Sequence, residues 1–211
     1  MIVPVASGTV RMIRSVLGLR NVLLGAWQGG SMSEPLPAWA TEAPRLVAHD
    51  SAWAARAREY AAEVADLFGD RLATGVEHVG STAVPGLRAK PIIDLQAVAH
   101  DPAAAVGEAR DAAATAGWML VPRELDRRPW RWFLVRVDDA ARTRLAHLHL
   151  TAPGQDRWAE QLAFRDCLRA DPGLRAEYAA VKDRAIADHP ADREAYGDTK
   201  AAFVRRVLAR L

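Results

Sequence analysis

From position 52 to 68 the apolar residues Trp53, Ala57, Tyr60, Val64 and Leu67 recur every three or four places, the spacing that lines one side of an α-helix. Asp50-Ser51 supplies capping side chains ahead of it, and Gly69-Asp70 stops it. The period then shortens. Residues 74–79 read as a strand ending in a Gly80-Ser81 turn, and 91–98 as a buried strand rich in β-branched residues. Asp101-Pro102 opens an alanine-rich helix that runs to Thr115 and is stopped by Gly117. Three more strands are expected at 118–121, 132–137 and 146–150. Helices follow at about 155–169, 173–187 and 192–210, with Pro172-Gly173 and His189-Pro190 at the joints. One helix, then mixed strands and helix, then a helical tail predicts an α+β or α/β chain built on a small sheet.

Residues 1–31 depart from this pattern. Arg11, Arg14 and Arg20 are their charged residues, and Met12, Ile13, Val16, Leu17 and Leu23 could form one side of a weak amphipathic helix. Gly18 and Arg20 interrupt any signal-peptide core. Pro35, Pro37 and Pro44 make the following stretch extended. The expectation is a poorly ordered N-terminal extension over 1–44, with the functional protein starting near Met32, ahead of one domain over 45–211.

Composition narrows the partners. The 211 residues are 50% hydrophobic and 26% charged, enough for a sizeable core. A net charge of +2 gives no reason to expect a nucleic acid. Mean hydropathy is −0.10, and no apolar run reaches the roughly 18 residues of a membrane span. The single Cys167 excludes an internal disulfide and a multi-cysteine zinc site, and fits a reducing cytoplasm. The basic residues are nearly all arginine, with lysine at 90, 182 and 200. Nothing indicates an oligomeric state.

Candidate chemistry gathers around the turn. Gly80 permits positive φ or a close backbone approach, and a helix beginning after Ser81 would aim free N–H groups at an anion. Asp94 and Gln96 alternate with Ile93, Leu95 and Ala97, so they share a face of their strand. His147 and His149 share a face in the same way, with Leu148 and Leu150 on the other. Lys90 and Arg88 stand on the loop side as phosphate contacts, and Lys200 sits four residues from Tyr196 on the last helix. His78 and Glu77 point opposite ways, so at most one of them joins the pocket. Arg127, Arg128 and Arg131 with Trp130 and Trp132 form a basic-aromatic cluster suited to a loop edge or to a base or phosphate. There is no Gly-x-x-x-x-Gly-Lys-Ser/Thr loop, no Gly-x-Ser-x-Gly elbow and no His-Glu-x-x-His helix. Cys167 falls in an amphipathic segment and reads as packing.

The stretch "EHVGSTAVPGLRAKPIIDLQ" resembles the hallmark segment of the GrpB family, within the nucleotidyltransferase (polymerase-beta-like) superfamily. "LVAHDSAW" at 46–53, "HLHL" at 147–150, "AFRDCLRADPGLRAEYAAVK" at 163–182 and "YGDTKAAFV" at 196–204 look like its other blocks, in order. The resemblance implies a small mixed sheet flanked by helices, with a C-terminal helical tail. It implies a phosphate-cradling turn at Gly80 and Ser81, a nucleotide or other phosphorylated small molecule as ligand, and metal-assisted nucleotidyl or phosphoryl transfer. On that reading Asp94 and His149 are catalytic, Asp94, His147 and His149 hold a divalent metal, and Gly80, Ser81, Lys90, Arg88, Gln96, His78 and Lys200 bind substrate. The superfamily's second acid is replaced here by Gln96. One carboxylate, an amide and two imidazoles suit Mn²⁺, Fe²⁺ or Zn²⁺, or no metal at all, better than Mg²⁺. Loss of that acid also allows a non-catalytic accessory domain. The family's fusion to dephospho-CoA kinase in some bacteria places either version near coenzyme A metabolism.

Overall fold

The computed structural model describes residues 37–41, 45–126, 128–188 and 193–211. The elements in order are α1 (Ala38–Thr41), α2 (Trp53–Phe68), β1 (Glu77–Val79), β2 (Ile93–Val98), α3 (Pro102–Thr115), β3 (Trp118–Leu120), α4 (Arg123–Asp126), β4 (Arg131–Val137), β5 (Arg144–Thr151), α5 (Asp156–Ala170), α6 (Pro172–Asp188) and α7 (Arg193–Leu208). The expected α+β arrangement is present. Five strands form one mixed sheet in the order β1-β2-β5-β4-β3, with β2 and β5 parallel at its centre and the other pairs antiparallel.

Helices α2 and α3 cover one face. Trp53, Ala57, Val64 and Phe68 of α2 pack with Ile93, Leu95 and Ala97 of β2 and with Ala146, Leu148 and Leu150 of β5. The stripe read from the sequence is this contact, with Phe68 buried and Leu67 partly so. Pro102 starts α3, and Asp101 Oδ1 accepts from the N–H groups of Ala103 and Ala104 at 3.0 Å. The first strand is shorter than predicted. Thr74 uses its hydroxyl to accept from Val98 N, so the chain enters the ladder only at Glu77.

The tail helices lie toward the other face and seize the loop between β1 and β2. Arg165 of α5 donates to Glu77 Oε2 at 2.8 Å and to His78 O at 3.0 Å, and Arg169 donates to Ala83 O at 2.9 Å. Val84 and Leu87 of that loop are buried among Leu168, Tyr178, Phe203 and Val207. Cys167 packs at the edge of this cluster, as expected. Residues 1–36 and 42–44 of the expected extension lie outside the described residues. Within it, Trp39 is 6% exposed and packs with Val121, Val135 and Val137. Among the described residues no helix is long and apolar enough to cross a membrane.

Candidate functional site

The site begins with a steric demand at Gly80. Its φ of 71° and ψ of −168° lie in a region open essentially to glycine. A Cβ there would stand 2.4 Å from Asp94 Oδ2 and 3.0 Å from Asp94 Cβ. Val79 and Asp94 are partners across the β1–β2 ladder, so the turn passes directly over the carboxylate. Both properties expected of this glycine are used. The helix expected after Ser81 is not formed: Ser81–Ala83 makes one 3₁₀ turn, and the N–H groups of Ala83 and Val84 bond back to Gly80 O and Ser81 O. Pro85-Gly86 then turns the chain away before a second helical turn can add. The turn is held from below by His78 Nε2, 3.0 Å from Thr82 Oγ1, which also reaches Ile92 O at 3.4 Å.

Asp94, His147 and His149 converge, as the family resemblance implied. The parallel register sets Asp94 beside His147 and Gln96 beside His149. Asp94 Oδ1 lies 2.9 Å from His147 Nδ1 and 3.8 Å from His149 Nε2. Burial works against the charge on Asp94, but the hydrogen bond from His147 and the nearby ring of His149 outweigh it and hold the carboxyl well below its usual range. Burial also pushes His147 down, and His149 to about 4, more than Asp94 can restore. At neutral pH the cluster is therefore one ionised carboxylate between two neutral rings. Phe133 lies against both rings, at 5.0 and 5.3 Å between centroids.

One donor atom from each of the three residues lies within 4.8 Å of the others, near enough for a single ion to touch all three. The remaining ring nitrogens decide whether the set fits a metal, because a ligating histidine gives its other N–H to an acceptor. His149 Nδ1 is in hydrogen-bond contact with a guanidinium N–H of Arg131, which can only donate. If Nδ1 of His147 ligated, its buried Nε2 would carry a proton with no protein acceptor. As arranged, the residues do not fit a resident metal ion.

Beside Asp94 and His147 is a polar cavity of about 190 Å³, bounded also by Ser81, Thr82, Lys90, Lys182 and Lys200. These three lysines are all the lysines of the chain. Lys90 and Lys200 were expected near the site. Lys182 was not, although its rarity in an arginine-rich chain was a readable signal. It is 1% exposed, donates to Arg88 O, and sits 5.1 Å from the Tyr178 ring centre. Burial, reinforced by the charge of Lys200, pushes it down to about 7.

Other expected residues stand elsewhere. Arg88 turns outward, half exposed, to Asp183 at 3.1 Å. Gln96 is 1% exposed and its amide donates to Trp158 O at 3.0 Å, so it anchors α5 to the sheet. His78 pairs with Leu95, on the face opposite Asp94, and serves the turn. Glu77 is tied to Arg165. The basic-aromatic cluster divides: Arg131 and Phe133 face the site, Trp132 pairs with Leu150 on the other face, and Arg127 is outside the described residues. The side chain of Tyr196 is also outside them.

The family profile of the GrpB protein matches residues 43–210. The chain belongs to the GrpB family. A UPF0157 protein of Halalkalibacterium halodurans is 36% identical over 166 residues, which cover 78% of this chain and 80% of that one. A dephospho-CoA kinase of Mycolicibacterium paratuberculosis is 33% identical over 186 residues, but the match spans 45% of its length. The crystal structure of conserved protein GrpB from Enterococcus faecalis superposes with a TM-score of 0.68 at 24% identity, covering 79% of this chain and 96% of that one. That likeness shows the GrpB fold.

Two outcomes follow from the geometry. Gly80→Ala should cost about 1–3 kcal/mol in urea unfolding, because the methyl group meets both a forbidden backbone region and the carboxylate; an unchanged midpoint would contradict the contact. His78 and His149 both titrate near 4 when folded, against about 6.5 when unfolded. Below pH 6.5 the unfolded chain therefore takes up protons that the folded one refuses, and stability falls as pH drops toward 4. Each ring should contribute a loss of about 1–2 kcal/mol between pH 7 and pH 5. His78→Gln should make that decline shallower, and a flat profile in the parent protein would refute it.

Proposed function

We propose that this GrpB-family chain binds a phosphorylated small molecule in the lysine-lined cavity, with the phosphate met by Lys90, Lys182 and Lys200 and by the turn at Ser81-Thr82. The observation that carries this reading is the convergence of every lysine in the chain on one polar cavity. An ammonium is a compact point charge that suits phosphate oxygens, and burial strengthens its pull by removing competing water. A nearly neutral surface and a concave site of this size favour a small ligand over a nucleic acid.

Turnover separates two versions of this reading. In the first, the ionised Asp94 and its imidazoles handle a proton beside the bound phosphate, and the reaction class is phosphoryl or nucleotidyl transfer. In the second, the domain binds without turnover. The relatives named dephospho-CoA kinase favour the second, because this stretch accounts for less than half of their length and shares a chain with further sequence. Coenzyme A precursors are therefore the first organic ligands to try. The metals read from the donor types, Mg²⁺, Mn²⁺ or Zn²⁺, are arms of the same experiment.

Calorimetry with inorganic pyrophosphate, ATP and dephospho-coenzyme A, with chelator and with each metal, tests the reading. Replacing Lys182 by methionine removes a charged contact worth about 1.5–3 kcal/mol, so affinity should fall about 10- to 100-fold. The fold should survive, since an apolar chain of similar length fills the same buried place. Because Lys182 is partly neutral near pH 7, binding at pH 8 should draw in a proton, seen as a dependence of heat on buffer ionisation. The absence of binding by all three compounds under every metal condition would end the proposal.

A further inference from the structure

The Asp94–His147–His149 cluster has the residue types of a metal site but a different pattern of hydrogen bonds. His149 lies between Arg131 and Asp94. A guanidinium carries donors on every nitrogen and keeps its charge, so its contact with Nδ1 requires a lone pair there. The proton of the neutral ring is thereby placed on Nε2, facing the carboxylate of Asp94. A metal on Nε2 would need that proton moved to Nδ1, where it would point at the N–H of Arg131.

Arg131 is not easily displaced. It is 7% exposed, as is Asp126, to which its Nε donates at 3.0 Å while a terminal nitrogen bonds the other carboxylate oxygen. Its guanidinium carbon lies 3.8 Å from the centre of the Phe133 ring, which in turn lies against both histidines. The fork is fixed by a buried carboxylate on one side and an aromatic face on the other.

We propose that Arg131 is a built-in cation that keeps divalent metal out of the Asp94–His147–His149 cluster by fixing the tautomer of His149. Arg131 is thus a positioning residue, acting on Asp94 through the ring between them. The cluster then operates with one carboxylate and two neutral imidazoles. This assignment is independent of what the lysine cavity binds.

Chelator-treated protein titrated calorimetrically with Zn²⁺ and Mn²⁺ provides the test, alongside the His149→Ala variant. A double variant, Arg131→Met with Asp126→Asn, removes the fork without leaving a buried carboxylate unpaired. The parent protein should show no equivalent of Zn²⁺ that depends on His149. The double variant should gain one, at least tenfold tighter than any His149-dependent binding in the parent, and lose it when His149→Ala is added. Nitrogen NMR of the parent should show His149 protonated at Nε2 and bare at Nδ1. One Zn²⁺ per parent chain that disappears with His149→Ala would overturn the proposal. So would a folded double variant that gains no metal, or a parent His149 protonated at Nδ1. Should the double variant not fold, the tautomer in the parent protein decides.

Discussion

The site depends on a carboxylate kept ionised while partly withdrawn from water. Asp94 lies on a central strand, where burial alone would favour its neutral form. It remains charged because the parallel β2–β5 register delivers two imidazoles to the same oxygen, one of them at 2.9 Å. The arrangement leaves no room above it. The chain can cross over Oδ2 only where there is no side chain, which makes Gly80 part of the carboxylate's environment as much as part of a turn. Strand register, turn residue and carboxylate form one constraint: altering any one displaces the other two.

The lysine cavity rests on a second, longer-range arrangement. Lys182 and Lys200 belong to α6 and α7, far along the chain from Lys90 and Ser81. They reach the cavity because α5 is latched to β1 and to the turn through Arg165 and Arg169, and because Val84 and Leu87 are buried among the tail helices. Arginines form the surface of this latch, where planar forks match backbone and carboxylate oxygens. Lysines occupy its interior edge. An arginine at 182 would remain charged whatever its burial, whereas burial and the charge of Lys200 bring the lysine down to about 7. On the proposed function, this difference would give Lys182 a role, recharging as an anion binds, that arginine could not fill.

Much of this was legible in the sequence, for reasons that differ from residue to residue. The helix over 52–68 and the shared face of His147 and His149 follow from periodicity, because burial on one side imposes it. Convergence of Asp94 with those histidines was expected from the family resemblance and is now explained by the register. Gln96 was misplaced in emphasis: alternation put it correctly on the site face, but alternation cannot say that a helix sixty residues on would claim its amide. Arg88 and Lys90 looked equivalent two residues apart, and an extended segment would put both on one side, yet the irregular loop between β1 and β2 sends one to Asp183 and the other to the cavity. Lys182 and Arg131 were the harder cases. Each is buried by tertiary contacts between distant segments, and a charged residue in a helix or at a strand edge gives no local sign that it will be enclosed.

The two halves of the site are linked through electrostatics rather than shared contacts. Among the described residues that line the cavity, Asp94 is the one carboxylate, alongside Lys90, Lys182 and Lys200. Lys182 and Lys200 repel one another there, which adds to burial in pushing Lys182 down to about 7. On the proposed function, a phosphate entering the cavity would relieve that repulsion while standing beside the ionised Asp94. A divalent ion on Asp94 would turn its single negative charge into a net positive one beside the ammoniums. The hydrogen-bond pattern around His149 opposes such an ion, and the electrostatics of the lysine cavity point the same way.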